Sequence, residues 1–256
     1  MRFAGLVEYD GAGFYGWAAQ PALRTVEGTL SEALATVLRQ PVRLTAAGRT
    51  DAGVHASGQV VSFDTDTDLR PDLIAYKTTA VLPEDVALRR CVRVPPEFDA
   101  RRSARSRSYE YRVLNSPVRS PLLRHYALHV PARLDQDLLN RAATLVRGTH
   151  DFRAFTPSRT YHKRFERVVK ESFWETEGEL LIYRITADAF LYGMVRTLVG
   201  TMLGVARGRR SLGSFERLLG GAKRSEAGPT APAGGLTLVG VEYDGGRLWE
   251  GGYDAR

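Results

Sequence analysis

Residues 189–206 set the narrowest limit on how this chain can fold. The run AFLYGMVRTLVGTMLGVA is 18 residues long and nearly all apolar, yet it carries Arg196 near its centre and three glycines. A membrane span is not expected, because a charge at the bilayer midplane is costly and no second span accompanies it. The run predicts a buried helix over 188–206 with one functional charge. Phe190, Met194, Leu198 and Thr201 or Met202 then surround Arg196 at helical spacing. A buried arginine is expensive unless paired. Arg196 therefore needs a partner from elsewhere in the chain, or else it sits at a helix edge and snorkels to water.

Composition narrows the function classes. The 256 residues hold 36 Lys plus Arg against 29 Asp plus Glu, a formal net charge of +7. Only Lys77, Lys163, Lys170 and Lys223 are lysines, so 32 of the basic residues are arginines. A hydrophobic fraction of 43% and a charged fraction of 25% exclude disorder and collagen-like sequence. One cysteine, Cys91, excludes an intramolecular disulfide and a thiolate metal cluster, and fits a reducing compartment. His125 and His129 have no third ligand nearby, so no metal site is expected. The first residues carry no apolar signal core, and a cytoplasmic protein is expected.

The positive charge is clustered. Arg101, Arg102, Arg105, Arg107 and Arg112 fall within twelve residues and are opposed only by Glu110. Arg153, Arg159, Lys163, Arg164, Arg167 and Lys170 form a second cluster, opposed only by Glu166, whereas residues 64–72 are acidic. Such asymmetry predicts a basic face suited to phosphates, hence a polyanionic partner.

Strands are expected over 3–9, 42–47, 59–63, 86–94, 107–114, 168–175, 180–186 and 236–243, from alternation and flanking turn residues. Helices are expected over 25–40, 71–81, 136–147 and 214–219. Thr25 is placed to cap the first, and Pro71 occupies the first turn of the second. Residues 48–57 read as a loop, 177–178 as the tip of a hairpin, and 225–235 as a Gly/Pro/Ala-rich loop. Pro95-Pro96 is the best linker candidate. Two halves of similar size predict an α+β protein with two pseudo-equivalent domains, 1–104 and 105–256.

The loop Gly48-Arg49-Thr50-Asp51-Ala52-Gly53-Val54-His55 lies between two expected strands. It sets a carboxylate among an arginine, a hydroxyl and two glycines. On residue types alone two readings stay open. One is a hairpin turn in which Asp51 bonds its own backbone. The other is a reactive carboxylate on a polar loop that a rigid sheet holds in place.

The whole string GRTDAGVHASGQVVSF resembles the signature of the tRNA pseudouridine synthase A family. YDGAGFYGW resembles that family's opening strand and turn, and TVEGTLSEAL its first helix. FDARRSARSRSYEYRV resembles its arginine-rich strand, AFLYGMVRTLVG its late helix, and GLTLVGVEY its last strand. The similarity runs from about residue 7 to 243 in the family's order. Two departures fall away from the nucleophile: Ala18 follows Trp17 where the family commonly has glutamine, and Asp99 follows Phe98 where it usually has histidine.

The resemblance implies a pseudouridine synthase fold, in which two α/β domains share a long, mainly antiparallel central sheet and a cleft runs between them. It implies an isomerase that converts uridines 38, 39 and 40 of the tRNA anticodon arm to pseudouridine. Such a redox-neutral rearrangement needs no cofactor, and no nucleotide-binding glycine motif is present. Asp51 aligns with the catalytic aspartate, and Arg196 with the arginine set against it. Tyr109 aligns with the active-site tyrosine, although alternation puts Tyr111 on the same face. Arg49 is the candidate to enter the RNA stack where the base leaves. His55 contacts RNA or hydrogen-bonds the loop, and the second reading is favoured. A homodimer with one tRNA touching both subunits is implied, with tRNA as partner. The rival readings are a non-catalytic RNA-binding protein that retains the fold, which an intact Asp51, Tyr109 and Arg196 argue against, and a nucleobase hydrolase or glycosylase. The last would need a second acid or base near Asp51, and none is apparent.

Overall fold

Each strand and helix begins where a local signal or a tertiary contact starts it, and the two causes separate along this chain. The computed structural model describes residues 1–160 and 162–249. In order run β1 (Arg2–Tyr9), α1 (Val26–Leu38), β2 (Thr45–Ala46), β3 (His55–Asp64), α2 (Pro71–Val81), β4 (Val86–Arg93) and β5 (Ser106–Leu114). They are followed by β6 (Leu128–His129), α3 (Gln136–Val146), β7 (Gly148–Asp151), β8 (Glu166–Glu177) and β9 (Leu180–Ala187). Last come α4 (Met194–Ala206), α5 (Leu212–Leu218) and β10 (Leu236–Glu242). The chain packs as two units. One joins Met1–Arg107 to the chain from Leu238 onward, and the other is Ser108–Thr237.

In the first unit the strand order is β4-β1-β3-β10, with β2 paired to β3. β1 is antiparallel to both of its neighbours. Being central, it is buried on both sides, so Phe3 and Ala4 are equally covered. Phe3 stacks on Phe63 at 5.8 Å. α1 forms as its period predicts. Val26, Leu30, Ala33, Leu34 and Leu38 share the buried face, and Thr25 Oγ1 accepts the Gly28 N–H at 3.3 Å. Each fully buried leucine on that face contributes about 1.5–3 kcal/mol. α2 starts at Pro71 and packs on α1 and β4. A second core layer gathers Ala4, Ala47, Val60, Ala100, Val241 and Tyr243.

In the second unit the order is β5-β9-β8-β7, with β6 parallel to β5. β8 and β9 form the expected hairpin, turning at Gly178 with φ +61°. α3 lies on β8 and meets α4 and α5. Ser172 Oγ bridges the Ala143 carbonyl and the Tyr183 hydroxyl, both at 2.8 Å, which satisfies polar groups beneath the helix. Both units are thus α+β.

Three sequence expectations are corrected. The strand expected over 42–47 shrinks to Thr45–Ala46, paired with Val61 and Ser62. The loop expected over 48–57 ends sooner, because β3 begins at His55 and Ala56 already pairs with Tyr9. The apolar run over 188–206 is not one helix. Gly193 takes φ +67° and α4 starts only at Met194, while Asp188 Oδ1 accepts the N–H groups of Val168 and Ala189 at 3.0 and 2.7 Å. Arg196 therefore sits in the first turn of α4 rather than mid-helix, and Phe190 lies outside the helix. Seven residues of the expected second domain, 250–256, lie outside the described residues.

Candidate active site

The loop of residues 47–54 is held from every side within the first unit. At its entry the Ala47 N–H donates to the Val60 carbonyl at 2.8 Å, and the buried Gln59 amide donates to the Gly48 carbonyl at 2.7 Å. At its middle the Trp17 N–H donates to the Thr50 carbonyl at 3.0 Å, and the Tyr9 hydroxyl meets Thr50 Oγ1 at 2.8 Å. At its exit the Gly53 N–H reaches the Phe14 carbonyl at 3.2 Å. Asp51 itself opens a four-residue turn, closed by the Val54 N–H on the Asp51 carbonyl at 3.1 Å. Gly53 at φ +78° is the third residue of that turn, where a side chain would be strained.

The packing of the turn over 11–17 against this loop depends on two glycines. A Cβ on Gly11 would fall 2.0 Å from the Val54 carbonyl oxygen. Gly16 takes φ +92°, and its Cβ would fall 2.9 Å from the Thr50 carbonyl oxygen. Burial of the Tyr9 ring pushes its hydroxyl pKa up to about 12, against the pull of its hydrogen bonds to Thr50 and Gln59, so it stays neutral. Within the loop Arg49 and Ala52 are exposed, Thr50 is buried and Asp51 is half-buried.

His55 opens β3 and is 3% exposed. Its Nδ1 accepts the Gly11 N–H at 3.0 Å and lies 3.1 Å from Asp10 Oδ1. With its proton on Nε2 the ring accepts from Gly11, and with a proton on Nδ1 it donates toward Asp10. Either way the ring braces the turn that covers the loop.

The second unit carries the other residues singled out by the sequence. Tyr109 on β5 is 8% exposed and meets Phe190 edge-on at 4.9 Å. Tyr111 shares its side of the strand but is fully buried, and its hydroxyl donates to the Pro232 carbonyl at 2.9 Å. Burial pushes the Tyr111 hydroxyl well up, with the positive charge of Arg196 acting against that. Arg196 Nε donates to the Ala231 carbonyl at 2.8 Å, and the Ala231 N–H returns to the Arg196 carbonyl at 3.0 Å.

That exchange is possible because α4 is flattened by small residues. Gly200 lets the Pro229 carbonyl approach so closely that a Cβ would meet it at 1.9 Å. The Gly228 N–H donates to Thr201 Oγ1 at 3.0 Å, and Thr197 meets Thr230 at 3.1 Å. The Gly/Pro/Ala-rich loop is therefore the rail on which Arg196 is fixed. The glycines within an apolar helix pattern are the sequence signal for this contact.

Two further side chains depart from what their sequence position suggests. Arg107 belongs to the first arginine cluster of the sequence, yet it is only 9% exposed. Strand alternation, which sets it on the side of Tyr109 and Tyr111, was the sign of that. Gln59, which the sequence places only at the start of a strand, is fully buried at the loop's foot. The basic face is also thinner than composition implied. Arg105 is bidentate to Asp244, with both contacts at 2.7 Å, and Arg153 lies 2.7 Å from Asp151. Arg101 and Arg102 are exposed.

A family model described as tRNA pseudouridine synthase matches residues 6–101 and 142–244 of the chain. Those stretches contain Arg49, Asp51, His55 and Arg196, and Tyr109 lies between them. A protein of Methylobacterium nodulans named tRNA pseudouridine synthase A is 42% identical over 243 residues, covering 94% of this chain and 96% of that one. Proteins of the same name from Acetivibrio thermocellus and Bacillus licheniformis are each 38% identical. The first alignment covers 93% of this chain and 98% of the relative, the second 95% and 100%.

Proposed function

The chain belongs to the tRNA pseudouridine synthase family, and from that premise we propose that it isomerises uridines 38, 39 and 40 of the tRNA anticodon arm, with Asp51 as the catalytic carboxylate. The enzyme is an isomerase acting on tRNA. Its base detaches from C1′, rotates, and reattaches through carbon, so no electrons are exchanged and no group donor is consumed. A carboxylate suits this sequence because it can add covalently and leave again. The observation that carries the reading is the clamped loop. Buried donors and backbone bonds fix residues 48, 50 and 53, and the half-buried Asp51 stands among them. A nucleophile held in this way loses little orientation entropy when the base arrives.

The other roles follow from type and position. Tyr109 stacks against the extruded uracil and relays a proton, a role supported by its exposed fraction where Tyr111 has none. Arg49, exposed beside Asp51, enters the stack that the base vacates. Arg196 is catalytic, with its guanidinium oriented by the Ala231 carbonyl. His55 supports substrate binding through the turn it braces rather than by reaching RNA itself, a reading its burial favours.

The enzyme further acts as a homodimer in the cytoplasm, one tRNA touching both subunits. No helix among the described residues is long and apolar enough to cross a membrane. Sedimentation at assay concentrations should give twice the 28.3 kDa chain mass. The direct test of function is incubation with an unmodified tRNA transcript, followed by mapping of the modified positions. Pseudouridine at 38–40 is expected. Free uracil would indicate a glycosylase, and unchanged tRNA that is nonetheless bound would indicate a non-catalytic binder.

A further inference from the structure

One buried side chain joins the loop that carries Asp51 to the basic segment that precedes β5. The Arg107 guanidinium donates to the Ala47 carbonyl through Nη2 at 2.8 Å and Nε at 3.2 Å. It also donates to the Arg101 carbonyl at 2.7 Å and the Ala104 carbonyl at 3.4 Å. Ala47 immediately precedes Gly48, where the loop begins, and Arg101 and Ala104 bracket the basic segment.

The segment is itself rigid. Asp99 Oδ1 accepts the N–H groups of Arg101 and Arg102 at 2.9 and 2.8 Å. Ser62 Oγ accepts the Ala100 N–H at 3.1 Å, and the Tyr243 hydroxyl donates to the Ala100 carbonyl at 2.8 Å. A side chain meant for phosphate would stay in water, as Arg101 and Arg102 do. Burying a guanidinium is costly and is tolerated only where its donors are met. Here the planar fork serves two segments at once, which a single ammonium cannot reproduce.

We infer that Arg107 is a positioning residue for the reaction. By holding the Ala47 carbonyl against the segment over 99–104, it fixes the foot of the loop and so the direction of the Asp51 carboxylate. The inference rests on Asp51 being the catalytic carboxylate. It extends to a residue outside the stretches matched by the family model.

The test compares Arg107→Lys and Arg107→Gln with the parent enzyme in turnover, tRNA affinity and melting temperature, with Asp51→Asn assayed alongside. Misplacement by about an ångström costs on the order of a hundredfold in rate. Arg107→Gln should lose kcat on that scale while Kd for tRNA stays within about threefold. Arg107→Lys should fold and recover part of the loss. If Arg107→Gln does not fold, Arg107→Lys alone decides, with an intermediate kcat at unchanged Kd expected. The inference is overturned by folded variants that keep parental kcat, by a loss confined to tRNA affinity, or by an Arg107→Lys protein that cannot fold, since the role would then be to hold the unit together. Asp51→Asn separates the two layers. Activity surviving in Asp51→Asn sinks the reading of Asp51 itself; an inactive Asp51→Asn beside a fully active Arg107→Gln sinks only the inference about Arg107.

Discussion

The role proposed for Asp51 requires its backbone to stay still, and the residues that hold its loop are mostly not reactive. Tyr9 is the simplest case. Its hydroxyl is neutral, buried and spent on Thr50 Oγ1. Tyr9→Phe should cost about 1 kcal/mol of stability, the net worth of one buried hydrogen bond. It should also lower turnover by loosening Thr50; melting and kinetic assays on the same preparation read both effects. Arg196 gives the opposite balance. It is half-buried, and its Nε donates to the Ala231 carbonyl at 2.8 Å. Arg196→Met should therefore fold with a loss of about 1–2 kcal/mol. Turnover should nonetheless fall by about a hundredfold or more, as when a fixed charge or donor is removed from an active site. Lysine should restore only part, because it lacks the planar fork. A folded methionine variant with parental turnover would remove Arg196 from catalysis.

Elements divide by what starts them. α2 occupies the predicted residues Pro71–Val81 because its signals are local: proline in the first turn and a helical period behind it. α1 and the β8–β9 hairpin were legible for the same reason, and the string around Asp51 was legible as a resemblance to the family the chain belongs to. The starts of α4 and β3 were not, because neighbours decide them. Gly193 and Asp188 delay the helix start by six residues, and Tyr9 draws Ala56 into the sheet. The burial of Arg107 was not legible from its cluster, because a count of charges carries no information about which face of a strand they occupy. The loop's cover depends on a glycine whose importance is purely steric. Gly11→Ala would drive a methyl into the Val54 carbonyl, so the turn must shift and Asp51 with it. Turnover should drop at least tenfold, roughly 1.4 kcal/mol of barrier. Gly213→Ala, where nothing lies within 4 Å of the added carbon, is the matched control and should be silent.

At the scale of the whole molecule, buried ionisable groups and surface charge set the working range. Tyr9, Tyr111, Tyr183 and Tyr243 are all shifted upward by burial, Tyr9 to about 12, and the Cys91 thiol is likewise pushed up to about 12. The fold thus favours their neutral forms. The stability they supply is whole below the unfolded-state values, 9.0 for the thiol and 10.0 for the phenols, and is lost as pH climbs through the folded-state values. Denaturant midpoints should be level from neutral pH to about pH 9 and fall steadily above it. Affinity for tRNA should decline steeply between about 50 and 200 mM salt. Charge reversal at the exposed Arg101 and Arg102 should flatten that dependence more than reversal at Arg105, which is already engaged by Asp244. These measurements bear on the frame that holds one carboxylate. The decisive one is Asp51→Asn, nearly isosteric, assayed for pseudouridine formation and for tRNA binding in the same buffer. Turnover should vanish while affinity stays close to the parent's, since the phosphate contacts are untouched. Residual pseudouridine formation within about tenfold of the parent rate, roughly 1.4 kcal/mol of barrier, would contradict the central claim that Asp51 carries the chemistry.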